Sequence, residues 1–337
     1  MGFYVGNDSQ VTYFYESGTY SVASGVSGTW FGLVQNHEPG ETVNYIAERF
    51  VGTGDRNVGQ YINSTKDYEG TITLHPQDWR MLGFAFGSIV DSGSPSPYTH
   101  TLREANSDDT YIGTSGTMNP FASFTIEDVQ KSNVDGESMV RTYDGCIVDS
   151  VNISASEGEP VSCEVAYKGQ SVTFGSKTAD AHSIRDKDTS RPYIFSDVQI
   201  HIPSGTKVDM VKDFNWSLNN NLATRHYLNG SKVAAIHIPE NRDYEFSLTL
   251  DGTSEWGKTL YDQYYQGGST FNSILTICQS AGSEEANIIM SGCNITDMTA
   301  PTPAEGVVEY SVTIRPASCV AAVEDYVQYY NLGSLSV

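Results

Sequence analysis

The chain writes the same order of residue blocks twice, and a repeat of that length is expected to fold as two similar modules, one after the other. Block one is F-x2-V-Q-x-H-x-P-x2-T-x7-F. It is met as Phe31, Val34, Gln35, His37, Pro39, Thr42 and Phe50, and again, at a constant offset, as Phe195, Val198, Gln199, His201, Pro203, Thr206 and Phe214. Block two is DYEGTITL at 67–74, answered by DYEFSLTL at 243–250. Its alternation puts Ile72 and Leu74, or Leu248 and Leu250, on one face of a strand.

A short helix is predicted after each of these strands. In the first, Pro76 opens the turn and Trp79, Leu82 and Phe86 share a face before Gly87. In the second, Thr253 or Ser254 caps, and Trp256, Leu260 and Tyr264 form the stripe before Gly267 and Gly268. Block three is F-x-S-[FI], at Phe121 to Phe124 and Phe271 to Ile274, and block four pairs Gly145-Cys146 with Gly292-Cys293. Downstream, Val161, Cys163, Val165 and Tyr167 alternate with polar residues as Val308, Tyr310, Val312 and Ile314 do, so both segments read as half-buried strands.

The expected fold class is mainly β: two tandem β-sandwich domains, each with a short flanking helix. An arm at 1–27 precedes domain 1 at 28–175, whose Ser-, Gly- and Pro-rich excursion at about 88–118 reads as a surface insertion. A polar linker at 176–190 leads to domain 2 at 191–316, and a C-terminal segment at 317–337 follows, its start read as a helix. The second copy carries extra residues between blocks one and two.

Nineteen basic residues against 41 acidic ones give a net charge of -22. That balance opposes a tight grip on nucleic acid, because affinity for phosphates comes mainly from Lys and Arg. It also fits a salty setting, where ions mask self-repulsion. The N-terminus has neither the basic and apolar regions of a secretory signal nor, at Gly6, a myristoylation motif, and no run of 18 apolar residues occurs, so a protein made and used without export and without a membrane is expected.

Chemistry-bearing patterns are sparse. Five cysteines with no CxxC imply neither a disulfide framework nor a zinc site. Seven histidines stand outside HExxH, and no GxSxG, Walker loop or dinucleotide fingerprint occurs. His37 and His201 recur in both copies but sit beside Pro39 and Pro203, where a structural role is expected. The runs Asp108-Asp109 and Asp186-x-Asp188 lack the Gly and distal Glu of a calcium loop and read as solvated loops. The Asn-x-Ser/Thr sequons are about as frequent as chance gives, and Trp79 and Trp256 read as core anchors. No enzyme activity, cofactor or metal is expected.

The order of strand, Trp-bearing helix, Gly stop, excursion, F-x-S strand, Gly-containing strand and closing alternating strand resembles the tail tube proteins of tailed bacterial and archaeal viruses, over roughly 28–316. The resemblance implies that each copy adopts the tail tube fold, that six folds make a ring, and that a two-copy chain builds its ring from three subunits. It implies a virion location, assembly in the host cytoplasm, and as partners a terminator, baseplate, tape-measure protein and, for a contractile tail, a sheath. It also implies that viral DNA passes through an acidic lumen without specific binding. By the same analogy, the segments 51–66 and 215–242 reach a neighbouring ring, with Arg56 and Arg225 as its contacts. A baseplate or hub protein of the same fold, or an extracellular glycan-binding sandwich, is the alternative reading.

Overall fold

The computed structural model describes residues 4–16, 20–21, 28–49, 57–92, 98–104, 123–132, 137–178, 190–252, 254–279, 284–302 and 305–325. Phe50, Arg56, Asp108, Asp109, Phe121, Asp186, Asp188 and Thr253, with most of the expected linker, lie outside them. The molecule is mainly β, 67% strand with two short helices, in large antiparallel sheets.

The first half runs β1 (Tyr4–Tyr15), β2 (Thr29–Trp30), β3 (Leu33–Glu48), β4 (Gln60–His75), α1 (Arg80–Phe86), β5 (Gly87–Ser92), β6 (Tyr98–Glu104), β7 (Phe124–Ser132), β8 (Glu137–Ser156), β9 (Ser162–Gly169) and β10 (Ser171–Thr178). The second runs β11 (Val198–His201), β12 (Val211–Asn219), β13 (Leu222–Arg225), β14 (Ile236–Pro239), β15 (Asp243–Asp251), α2 (Ser254–Lys258) with a π-helical continuation (Thr259–Gln266), β16 (Phe271–Cys278), β17 (Glu285–Thr299), β18 (Glu309–Arg315) and β19 (Ser318–Asp325).

Strand pairing follows one path in both halves. In the first it is β1 to β7, β7 to β8, β8 to β9, β9 to β4 and β4 to β3, with β10 on the other side of β8. In the second it is β11 to β16, β16 to β17, β17 to β18, β18 to β15 and β15 to β12, with β19 beside β17. Even the irregularities coincide. The long strands β8 and β17 break register between Val148 and Ser150 and between Ile295 and Asp297. Gly145 and Gly292, at φ 65° and 62°, turn them from one sheet into the next, a backbone region that glycine enters without steric cost.

This register corrects three sequence expectations. Block one does not occupy equivalent places: Val34 lies opposite Leu74, whereas the residue opposite Leu250 is Val211, not Val198. Phe195, Val198 and His201 belong to a turn and to β11, which pairs with β16 as β1 pairs with β7. Burial agrees, since Phe31 is 1% exposed and Phe195 43%. Block three is out of step as well, because Phe124 and Phe271 both face the block-four cysteines Cys146 and Cys293. A short run of matching letters carries no information on which strand it will pair with, and pairing sets the register. Second, the expected arm contains β1, a full partner of β7. Third, the start of the C-terminal segment is the strand β19, held between β17 and β6, and not a helix.

The core forms where alternation predicts it. Ile72, Leu74, Leu248 and Leu250 are buried, with Cys163, Val165 and Tyr167 on β9 and Val312 and Ile314 on β18. Every residue of α1 is buried. Trp79 stands at its N-cap against Tyr193, and Gly87 ends it in the left-handed region at φ 89°. Trp256 is half-buried against the same core. Arg80 survives in that setting because its Nε and Nη2 both donate to Asp78 Oδ2 and Nη2 also reaches the Trp30 carbonyl.

The halves are stitched through their sheets. β12 lies along the C-terminal part of β8, from Asp213 opposite Ser156 to Asn219 opposite Ser150, and β19 lies along β6. Asn220, buried, donates to the carbonyls of Ala85 and Val148 and accepts from Arg242 Nε at 2.7 Å. Arg242 also reaches the Ala85 and Phe86 carbonyls, so the second half supplies the C-terminal cap of α1.

Candidate functional site

The longest hairpin carries the surface least explained by packing within the chain. β3 and β4 remain paired out to Glu48 opposite Gln60. Their far end leaves Val43, Tyr45, Ile46, Tyr61 and Ile62 exposed, Tyr61 at 67%. Ile46 faces Ile62 across the pair while Tyr45 and Tyr61 belong to neighbouring rungs, so apolar side chains project from both faces. Asn44 Nδ2 holds the ribbon together by donating to Thr65 Oγ1 and Asp67 Oδ2. Contiguous exposed apolar surface of this kind marks an interaction site.

The corresponding stretch of the second half behaves differently. Residues 215–219 lie in β12, and the stretch 220–242, expected from sequence to reach a neighbouring ring, makes contacts with the first half of its own chain. Lys168 Nζ donates to the Leu222 carbonyl at 2.6 Å, Gln170 Nε2 to the Ala235 carbonyl, and the Lys66 N–H to the Lys232 carbonyl. His237 Nε2 lies 3.0 Å from the Gly169 carbonyl, and burial pulls its pKa below the ordinary imidazole value. His226 Nε2 lies 2.8 Å from Asp67 Oδ1. Arg225, on β13 and paired with Ile236 of β14, keeps an exposed side chain 3.9 Å from Glu240 Oε1.

Several polar side chains inside the molecule pair with one another. His37 Nε2 stands 2.8 Å from the Tyr167 hydroxyl and its Nδ1 3.4 Å from Asp128 Oδ2, to which Arg141 donates at 2.5 Å. Its ring stacks on Tyr167 and meets Tyr143 edge-on. Pro39 lies two residues along β3, opposite Gly70. His201 is on β11, its carbonyl accepting from Ser273 Oγ, and Pro203 follows a cis peptide at Ile202. His37 and His201 therefore do not form a common site. The buried Glu16 accepts from Ser21 N, Ser123 Oγ, Thr125 Oγ1 and Gly145 N, all within 2.6–2.8 Å. Thr125 Oγ1 is also 3.4 Å from Asp144, whose pKa is pushed up to about 6 by burial and by the Glu16 charge. Among the described residues, no group of three or more His, Cys, Asp or Glu side chains is placed to hold a metal ion. The Cys146, Cys163 and Cys319 thiols are buried, and burial pushes each pKa upward.

The segment 51–66 singled out in the sequence takes in the β4 side of this hairpin end, Tyr61 and Ile62 included, whereas Val43, Tyr45 and Ile46 on the facing strand were not singled out. Sequence reasoning missed the Asn220–Arg242 cap, whose members and target are far apart in the chain.

An exposed apolar ribbon on a mainly β frame marks a protein that works through contacts with other chains. A family model described as phage tail tube protein matches residues 6–316, and the chain belongs to that family. No curated protein matches it. Membership makes it a structural component of a virion tail that assembles with itself into a tube.

Proposed function

We propose that three copies of this chain close into a pseudo-sixfold ring and that rings stack into the conduit for genome delivery, each half acting as one tube module. The observation that carries the reading is the family match across 6–316, supported by the shared pairing path of the two halves. Fusing two modules makes one contact in each pair intramolecular, so fewer chains have to meet. The net charge of -22 suits a lumen that repels phosphate and lets DNA slide. Catalysis has no part in this role. Assembly takes place in the host cytoplasm, with a terminator, baseplate, tape-measure protein and, in a contractile tail, a sheath as neighbours.

Negative-stain electron microscopy with native mass spectrometry tests the reading: trimeric rings or tubes are expected, and a protein that stays monomeric at all salt concentrations would reject it.

Stacking is assigned to the β3–β4 tip. Tyr45→Ser with Tyr61→Ser leaves the fold intact, because both side chains are exposed, and shortens or abolishes tubes. Charge reversal at Arg56 or Arg225, the contacts expected from sequence, is the parallel experiment; unaltered tube length would remove those two residues from the interface.

A further inference from the structure

The contact between the halves is a template for the contact between copies, because its two participating strand edges recur elsewhere in the chain with no partner among the described residues. Within the chain, β12 docks on the C-terminal part of β8. By strand pairing β12 corresponds to β3, since Asn219 lies opposite Asp243 and Thr42 opposite Asp67, the two residues that open block two. Likewise β8 corresponds to β17: Ser150 follows the register break and faces Ala166, while Asp297 follows the matching break and faces Thr313. Among the described residues, β3 pairs with β4 alone, and 294–299 of β17 with β18 alone. One molecule therefore presents both halves of the contact it has already made once. Two unlike edges that fit each other form a heterologous interface, which propagates from copy to copy until the rotation closes.

We propose that residues 37–42 of one copy add antiparallel to residues 297–302 of the next, with Thr42 opposite Asp297, as Asn219 lies opposite Ser150. This rests on the tube reading and assigns its lateral interface. The chemistry of the edges agrees. A proline within a strand is tolerated where its missing N–H points away from the existing partner, so Pro39 turns its nitrogen to the open side of β3. His37, Pro39 and Glu41 then form the bonding rungs opposite Thr302, Ala300 and Met298. Pro301 falls opposite Glu38 on a non-bonding rung, where it forfeits nothing. The ladder lacks one bond, at Pro39, and no like charges face each other: Glu41 meets Met298 and Asp297 meets Thr42. Pairing extends β17, which ends at Thr299 in the single chain.

The register makes the test specific. Non-bonding rungs hold Cα atoms about 4.5 Å apart, within the span a disulfide bridges. Thr42 and Asp297 are both exposed, so the full-length Thr42→Cys/Asp297→Cys variant retains the fold. Mild oxidation of its assembled form is expected to give covalent dimers and closed trimers on a non-reducing gel. The yield should be at least tenfold above either single variant and above the shifted pair Thr42→Cys/Asn294→Cys. Hydrogen exchange of intact wild-type rings supplies a readout without mutation: the amides of His37, Glu41, Met298, Ala300 and Thr302 slow on assembly. Rings that form without in-register cross-linking and without that protection overturn this interface and leave the tube reading standing. A wild-type chain that forms neither rings nor tubes overturns both.

Discussion

Asp144 shows how a single buried acid sets a pH response. Its carboxyl is pushed up to about 6 first by burial and then by the charge of Glu16, while Thr125 pulls the other way. A folded-state value above the ordinary carboxylate value means that the folded chain binds this proton more tightly than the unfolded one. Stability from this group therefore rises as pH falls from about 6 towards 4, and above 6 the ionised form costs stability. Asp144→Asn should raise the melting temperature at pH 7.5, by an amount worth about 1 kcal/mol once partial exposure is allowed for, and leave it unchanged at pH 4. Thermal melts at the two pH values decide it, and an equal shift at both removes the charge from the explanation. Ile72, Leu74 and Trp79 were legible as core from local alternation and helical spacing. The partners of Glu16 and His37 were not, because Ser123, Thr125 and Gly145, or Asp128 and Tyr167, come alongside only after the strands pair.

Among the elements, α1 depends on a cap supplied by the other half. Its last carbonyls accept from Arg242 and Asn220, and Arg242 lies over the Phe86 ring at 5.9 Å. Arg242→Ala removes the cation at the helix C-terminus and leaves those acceptors and Asn220 short of a donor. It should destabilise the chain by about 2 kcal/mol and speed amide exchange in α1 before it does so in β15. Exchange that rises equally in both elements would mean that the cap is not local. Strands β4, β9, β15 and β18 were readable because one face of each is buried. The start of the segment at 317–337 reads as helix from sequence, since its Ala and Glu residues favour helix and outnumber its two strand-forming valines, Val320 and Val323. Between β17 and β6 it has ladder partners on both sides, and that context outweighs propensity. Block one misled for the complementary reason: Phe-x2-Val-Gln-x-His describes a strand equally well in β3 and in β11, and only the partner tells them apart.

At the scale of the whole molecule, the two halves share ladders at β8–β12 and β6–β19, so neither can lose its sheet without exposing an edge of the other. Calorimetry should record one transition, with van't Hoff and calorimetric enthalpies in agreement, where two modules joined only by a linker would show two. Two resolved transitions would disprove the coupling. The residues on their own determined that this chain is built of strands, where its alternating faces bury, where a Trp-bearing helix interrupts them, and that its acidity makes a nucleic-acid grip unfavourable. Those properties are local or additive, and a linear reading contains them. Tertiary structure decided which strands are equivalent, that β1 and β19 are working members of the sheets, that one long hairpin projects while its counterpart folds back, and which edges stay open. All of these depend on hydrogen-bond pairing between residues distant in the chain, and a strand's own side chains specify its faces but not the neighbour at its edge.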